Sequence, residues 1–476
     1  MTRKFLHDIS VNSIQVIINQ FCGLTIFYVL SVYFSKNDFG EINWSLAVLL
    51  TAFSILSFGI DQIIVKKIAS GEDPKLMLQV YFSHVLLAGG LFYGFLLIAY
   101  LFYPEPLRNH YILLFLGIGK LMIFFSSPFK QLANGLEEFR ALFYMSVCSN
   151  IVRGAALILF AFFSSLNLTL VIIIFIAGDT AELLLSAFIT KRLLKTTFSL
   201  TWNKIIYLNL LKESLPQIGV VIFSSAIARF DWILLGILTS NIALAEYSFA
   251  FKVFEVATLP LLIIAPILIP RFTRLFHSNN YMQTEQKIND LFVLFRFEII
   301  IASLVPLILN ILWIPVIDFI TRGKYGTVNR YTILILSACM PFIYINNFLW
   351  TINFAKGFLK MIFYFIFITF LINVIGDIVL IPSFGGEGAA VAYLIAIVVQ
   401  FILFWINTDL PDLKKNKYLF LLCPFAALVS GSLFSLAFHH TWLVLISSLC
   451  FFFLILFVGR ILRRSDWAIF RRIAGI

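Results

Sequence analysis

Residues Glu213–Arg274 read ESLPQIGVVIFSSAIARFDWILLGILTSNIALAEYSFAFKVFEVATLPLLIIAPILIPRFTR. Two apolar runs, each long enough to cross a bilayer, flank the short polar hinge Thr239-Ser240-Asn241. The first run carries Arg229 and Asp231 in its apolar body, and the second carries Lys252 and Glu255. A charge at the centre of a membrane helix costs about 2.5–3.5 kcal/mol on insertion scales, so four in one stretch need a cause. Lys252 and Glu255 are three residues apart, share a helix face and can pair. Arg229 and Asp231 are two apart and point away from each other, so at least one faces something else. Mutual pairing is one account; a polar, water-filled interior that receives an anion is the other.

The remainder of the chain explains why a bilayer is the right solvent. Of its 476 residues, 61% are hydrophobic and 12% charged, and the mean hydropathy is +0.98. A soluble fold of this length needs a charged surface that these numbers exclude. The net charge of +11 then reads as basic inner loops, not as a nucleic-acid interface. The five cysteines, Cys22, Cys148, Cys339, Cys423 and Cys450, all fall inside apolar runs and suggest no disulfide framework. The N-terminal MTRKFLHDISVNSIQ precedes a long apolar run without a small-residue cleavage site, so a retained first span is expected. No histidine has metal-ligand spacing with acids or cysteines, and neither a Walker A nor a G-x-S-x-G motif is present. The composition thus favours no enzyme, metal site or cofactor.

At about 20 apolar residues per span the chain offers fourteen candidates. They run over 10–35, 41–66, 78–104, 110–134, 141–164, 167–190, 213–238, 244–270, 291–314, 331–355, 358–382, 388–410, 418–438 and 441–462. Of the 35 Lys and Arg, 25 then lie on one side, five on the other and five within spans. That bias places both termini in the cytoplasm. The long inner loop at 196–212 mixes apolar and basic residues and predicts an interfacial linker helix. It separates a six-helix lobe, 1–195, from a second, 213–410, followed by two extra helices and a basic tail, 411–476. The expected fold is all-α and polytopic. The lobes look like a parallel repeat, because Gly40-Glu41-Ile42-Asn43-Trp44-Ser45 matches Ala245-Glu246-Tyr247-Ser248-Phe249-Ala250 at a constant offset of 205.

Lys120, Arg153, Arg229 and Lys252 each lie roughly 12–17 Å from the predicted outer ends of four different spans, close to the midplane. They form a candidate cationic site for substrate. Asp179, Glu182, Asp231 and Glu255 are candidates for coupling or for charge balance, including private pairing with those cations. Asp61 and Asp377 are expected at span ends, and Arg296 and Glu298 in structural roles near the inner end of the ninth span. Pro128, Pro216, Pro260, Pro266, Pro270, Pro306 and Pro341 mark points where helices can bend. The last two spans carry no charge in their bodies; they either offer a groove for a lipid tail or face the bilayer.

The run LPQIGVVIFSSAIARFDWILLGILTSNIALAEYSFAFKVFEV resembles the seventh-to-eighth span region of polysaccharide-export flippases. These are the Wzx-type O-antigen and capsule translocases of the multidrug/oligosaccharidyl-lipid/polysaccharide exporter superfamily. DFGEINWSLAVLLTAFSILSFGIDQIIVKKIA is similar to the matching stretch near that family's N-terminus. The resemblance implies a two-lobed cavity with cationic walls in a bacterial inner membrane. It also implies a polyprenyl-diphosphate-linked glycan as substrate, with membrane lipids and a glycan polymerase or other assembly proteins as partners. No cofactor is implied beyond coupling to an H+ or Na+ gradient. A cation-coupled drug or metabolite exporter is the alternative within that superfamily, although a more carboxylate-dominated site would suit it. A membrane glycan polymerase or glycosyltransferase is the alternative outside it, and the chain lacks the large outer loop or acidic metal site such enzymes use.

Overall fold

The computed structural model describes residues 2–102, 111–163, 165–194, 203–261, 281–408, 417–459 and 461. Among these residues the chain is helical throughout, as a bilayer demands: with no water to bond exposed amides, a helix satisfies them internally. Eleven helices among the described residues are long and apolar enough to cross a membrane. The protein is a multi-pass membrane protein. The predicted outer loop at 103–110, the first part of the linker at 196–202, the inner part of the eighth span with Pro266 and Pro270, and the basic tail beyond 461 lie outside the described residues. The chain divides into two compact units, Met1–Ala245 and Glu246–Ile476.

The first unit contains α1 (Thr2–Tyr33), α2 (Lys36–Leu56), α3 (Ile60–Ala69), α4 (Pro74–Phe102), α5 (Tyr111–Gly135), α6 (Phe139–Phe162), α7 (Leu168–Leu194) and α8 (Lys204–Leu238). The start of α2 is capped by Ser35, whose Oγ accepts the Asp38 N–H at 3.1 Å. The predicted second span, 41–66, is not one helix but two. Phe58 and Gly59 take φ of 51° and 66°, a left-handed turn that stops α2 and restarts the chain as α3. Such a break frees carbonyl groups that must bond elsewhere. His84 of α4 supplies a ring nitrogen to one of them, with Nε2 2.9 Å from the Leu56 carbonyl. Its Nδ1 lies 3.1 Å from the Tyr207 hydroxyl, which ties the start of α8 to the same place.

The linker expected at 196–212 is, from Lys204 onward, continuous with the seventh span as α8, capped where the Asn203 carboxamide accepts the Ile206 N–H at 3.2 Å. At its inner end Lys67 reaches Glu72 at 2.9 Å and Glu213 at 3.2 Å. The hydrogen bond to Glu72, aided by Glu213, raises the Lys67 ammonium above the usual lysine range. Further along, α8 packs on α2 and α3. The two stretches that carry the family resemblance meet here. A Cβ on Gly40 would collide with the Asn241 carbonyl, and one on Gly236 with the Trp44 indole. The Trp44 Nε1–H donates to the Ile233 carbonyl at 3.3 Å. The predicted hinge is present: Thr239 Oγ1 donates to the Leu235 carbonyl at 2.6 Å, and Ser240 Oγ accepts the Ala243 N–H at 3.2 Å.

The second unit contains α9 (Asn241–Ala257, most of its length), α10 (Tyr281–Thr321), α11 (Arg330–Ala355), α12 (Leu359–Asn407), α13 (Lys417–Ala437) and α14 (Thr441–Val458). The 49-residue α12 is a hairpin of two arms. It turns at Gly385, whose φ of 54° and ψ of −130° suit glycine alone. The arms then lie close enough that a Cβ on Gly376 would stand 2.9 Å from that of Ala392. The predicted eleventh and twelfth spans fall on these two arms. Asp377, expected near a span end, is fully buried and accepts the Asn373 amide at 2.6 Å.

The core of this unit joins Phe295, Phe348, Phe404, Cys423, Phe452 and Leu456, from α10 through α14. The final helix pair is thus packed on α10 by one face, while Leu421, Phe425, Leu428 and Leu436 stay exposed on the other. An apolar face of that kind suits contact with lipid.

Candidate functional site

Helices α5, α6 and α7 pack on one another and bring charged side chains together inside the first unit. On α7, Asp179 and Glu182 are three apart and face the same way. Asp179 is fully buried and bridges two cations, Lys120 Nζ of α5 at 2.8 Å and Arg153 Nη1 of α6 at 3.1 Å. Glu182 accepts from Lys130 Nζ at 2.6 Å, from Ser126 Oγ at 3.4 Å and from Ser149 Oγ. Three cations therefore meet two carboxylates, leaving an excess positive charge.

The neighbouring groups hold this arrangement in place. Arg153 donates through Nε to the Ser149 carbonyl at 3.1 Å and through Nη2 to the Asn150 carboxamide at 2.8 Å. The Asn150 amide in turn donates to Asn19 of α1 at 2.9 Å. The Phe175 ring lies 5.1 Å from the Arg153 guanidinium and 5.6 Å from the Lys120 ammonium, and its face attracts both. Two glycines make room. A Cβ on Gly119 would come within 2.8 Å of the Asp179 carboxylate, and one on Gly178 within 2.7 Å of the Arg153 side chain.

Of the four predicted cations, Lys120 and Arg153 meet, at Asp179. Both are buried, 6% and 8% exposed, so in this conformation they are turned to carboxylates rather than to water. Arg229 stands on α8, half-buried, with its guanidinium 4.5 Å from the Trp232 ring. Asp231 is buried and accepts the Trp232 N–H at 2.8 Å. Lys252 and Glu255 pair at 2.7 Å along α9, in the second unit.

The sequence reading placed Lys130 on the inner side of the membrane, outside the candidate site; it belongs to the cluster. Ser126, Ser149, Gly119 and Gly178 were not foreseen either. Gly119, Gly178 and Ser149 lie within four positions of Lys120, Asp179 or Arg153 in sequence, whereas Lys130 and Ser126 reach Glu182 only through helix packing.

No protein among curated sequences matches the chain. Solved structures do, by fold. A lipid II flippase, MurJ, in an inward closed conformation, superposes with a TM-score of 0.72 at 16% identity, covering 97% of this chain and 98% of that one. An inward-facing multidrug resistance MATE family transporter of the MOP superfamily gives 0.62 at 12% identity, over 84% and 96%. A MOP superfamily transporter from Pyrococcus furiosus, described as having a binding pocket of reversed polarity, gives 0.57 at 12%, over 84% and 94%. These neighbours are flippases and transporters, not enzymes. A sequence profile of polysaccharide biosynthesis proteins matches residues 5–276, more than half of the chain. With an all-helical fold of the MurJ and MATE kind, the chain belongs to the polysaccharide biosynthesis protein family.

Proposed function

We propose that this protein is a flippase that moves a polyprenyl-diphosphate-linked oligosaccharide from the cytoplasmic to the outer leaflet of a bacterial inner membrane. The observation that carries the reading is the excess of positive charge held among α5, α6 and α7 in a family of polysaccharide biosynthesis proteins. A diphosphate crossing a low-dielectric region without partners is heavily penalised, and fixed cations lower that barrier. Arg229, half-buried on a different helix, is the group assigned to direct phosphate contact, because a guanidinium can bind two oxygens at once. Lys120, Arg153 and Lys252 supply the supporting field, and Asp179, Glu182 and Glu255 balance it. The lobes of the working transporter are 1–195 and 213–410, joined by 196–212, which rock to expose the site to each leaflet in turn. Prolines within helices, Pro128, Pro306 and Pro341 among them, provide bending points.

A cation-coupled small-molecule exporter fits less well, because it calls for a more carboxylate-dominated site than a cluster in which three cations meet two carboxylates. The test is chemical. A deletion strain should accumulate a lipid-linked oligosaccharide confined to the inner leaflet, and purified protein in vesicles should restore movement of a fluorescent polyprenyl diphosphate. Accumulation of free sugars, or of unlinked acceptor lipid alone, would reject the reading.

Both termini are assigned to the cytoplasm. Reporter fusions at Ile476 and within 383–387, next to the Gly385 turn, should report opposite sides of the membrane. Matching sidedness would require an odd change in the number of spans between them.

A further inference from the structure

Glu298 belongs to neither the charge cluster nor the ion pair on α9. It lies on α10, about 10 Å in from the inner end of the predicted span at 1.5 Å per residue. Its side chain is 3% exposed, and neither carboxyl oxygen has a hydrogen-bond partner among the described residues. Phe295, Ile299 and Ala302, its neighbours along the helix, are buried and apolar.

The helices packed against α10 are α11, α13 and α14. From α11, Tyr344 lies within electrostatic reach of the carboxyl, and its buried hydroxyl has no hydrogen-bond partner among the described residues. From α13, Cys423 lies within electrostatic reach of Arg296, two residues from Glu298 along α10. Arg296 donates to the Ile461 carbonyl at 3.3 Å. The cysteine of α14, Cys450, is exposed. Among the described residues Glu298 therefore has a phenol and hydrocarbon for neighbours and no cation paired to it.

An ionised carboxylate in that setting would be left without donors, and the least costly escape is to take a proton. A hard metal cation would ask for about six oxygens, more than a carboxyl and one phenol present.

We propose that Glu298 is a proton-binding site, occupied in this conformation, and that its proton is the one exchanged during the transport cycle. Binding is simple: the carboxylate takes one proton and becomes a neutral acid, and releases it when helix movement admits water. The first half stands on the geometry of α10 and α11, and the second rests on the flippase reading above.

The test uses the full-length protein in lipid vesicles. Infrared spectra recorded across pH should show a protonated-carboxyl stretch that persists at pH 7. Glu298→Gln, equal in size and neutral without a proton, should remove that band. Labelling wild-type protein with 13C-glutamate should shift it, which assigns the class of acid even if the variant inserts poorly. In the same vesicles an imposed proton gradient should speed movement of fluorescent polyprenyl diphosphate several-fold in wild type and not in Glu298→Gln. A wild-type spectrum without the band, or a band unchanged by Glu298→Gln and by labelling, overturns the site. Loss of the band with the gradient response intact overturns the coupling role. Absence of lipid movement in wild type would defeat the flippase reading, and the infrared result would still decide the site.

Discussion

Asp179→Ala is expected to destabilise the protein by about 3–5 kcal/mol, the usual consequence of stranding a buried charge. Here it strands two. Asp179 is fully buried and takes Lys120 at 2.8 Å and Arg153 at 3.1 Å. Arg153 keeps Ser149 and Asn150 as acceptors, but for Lys120 the Phe175 face is a weak substitute. Thermal unfolding in detergent, followed by monodispersity on a sizing column, measures the loss. Adding Lys120→Met to Asp179→Asn removes one stranded cation with its partner and should recover at least half of the deficit. Wild-type stability in Asp179→Ala would show that the bridge does not hold α5, α6 and α7 together.

Arg229→Ala should lower movement of the lipid-linked glycan on the order of 100-fold while leaving insertion and abundance unchanged. The magnitude follows from losing charge-assisted hydrogen bonds worth about 1.5–3 kcal/mol, at one factor of ten per 1.4 kcal/mol. Arg229→Lys should regain part of the activity, since charge survives and the planar fork does not. The Trp232 ring lies 4.5 Å from the guanidinium, within cation–π distance. The rival role is neutralisation of a carboxylate such as Glu255. That carboxylate has Lys252 at 2.7 Å on its own helix, so Arg229→Ala/Glu255→Gln should remain inactive. Restored transport in the double variant would assign Arg229 to ion pairing instead.

Much of the architecture was legible in the residues because the relevant energies are local. Whether a segment enters a bilayer depends on the summed transfer energy of about 20 neighbours, and that sum is readable in one dimension. The polar hinge at Thr239-Ser240-Asn241 and the turn at Gly385 were legible for a related reason: each is a short interruption in an apolar run. The break at Phe58-Gly59 was not, because Phe58 continues the apolar pattern and the freed Leu56 carbonyl depends on His84, 28 residues away.

The site divides along the same line. Composition and spacing by themselves determined an all-helical membrane protein and a small set of charges too costly to be accidental. The tertiary structure alone decided what each charge meets. Helix rotation within the first unit, set by packing at Gly119 and Gly178, places Asp179 between Lys120 and Arg153 and draws Lys130 to Glu182, whereas Glu298 on α10 is buried without a hydrogen-bond partner among the described residues. Insertion energy is a property of a segment, whereas ion pairing is a property of two faces that meet, and a linear sequence does not state which faces those are.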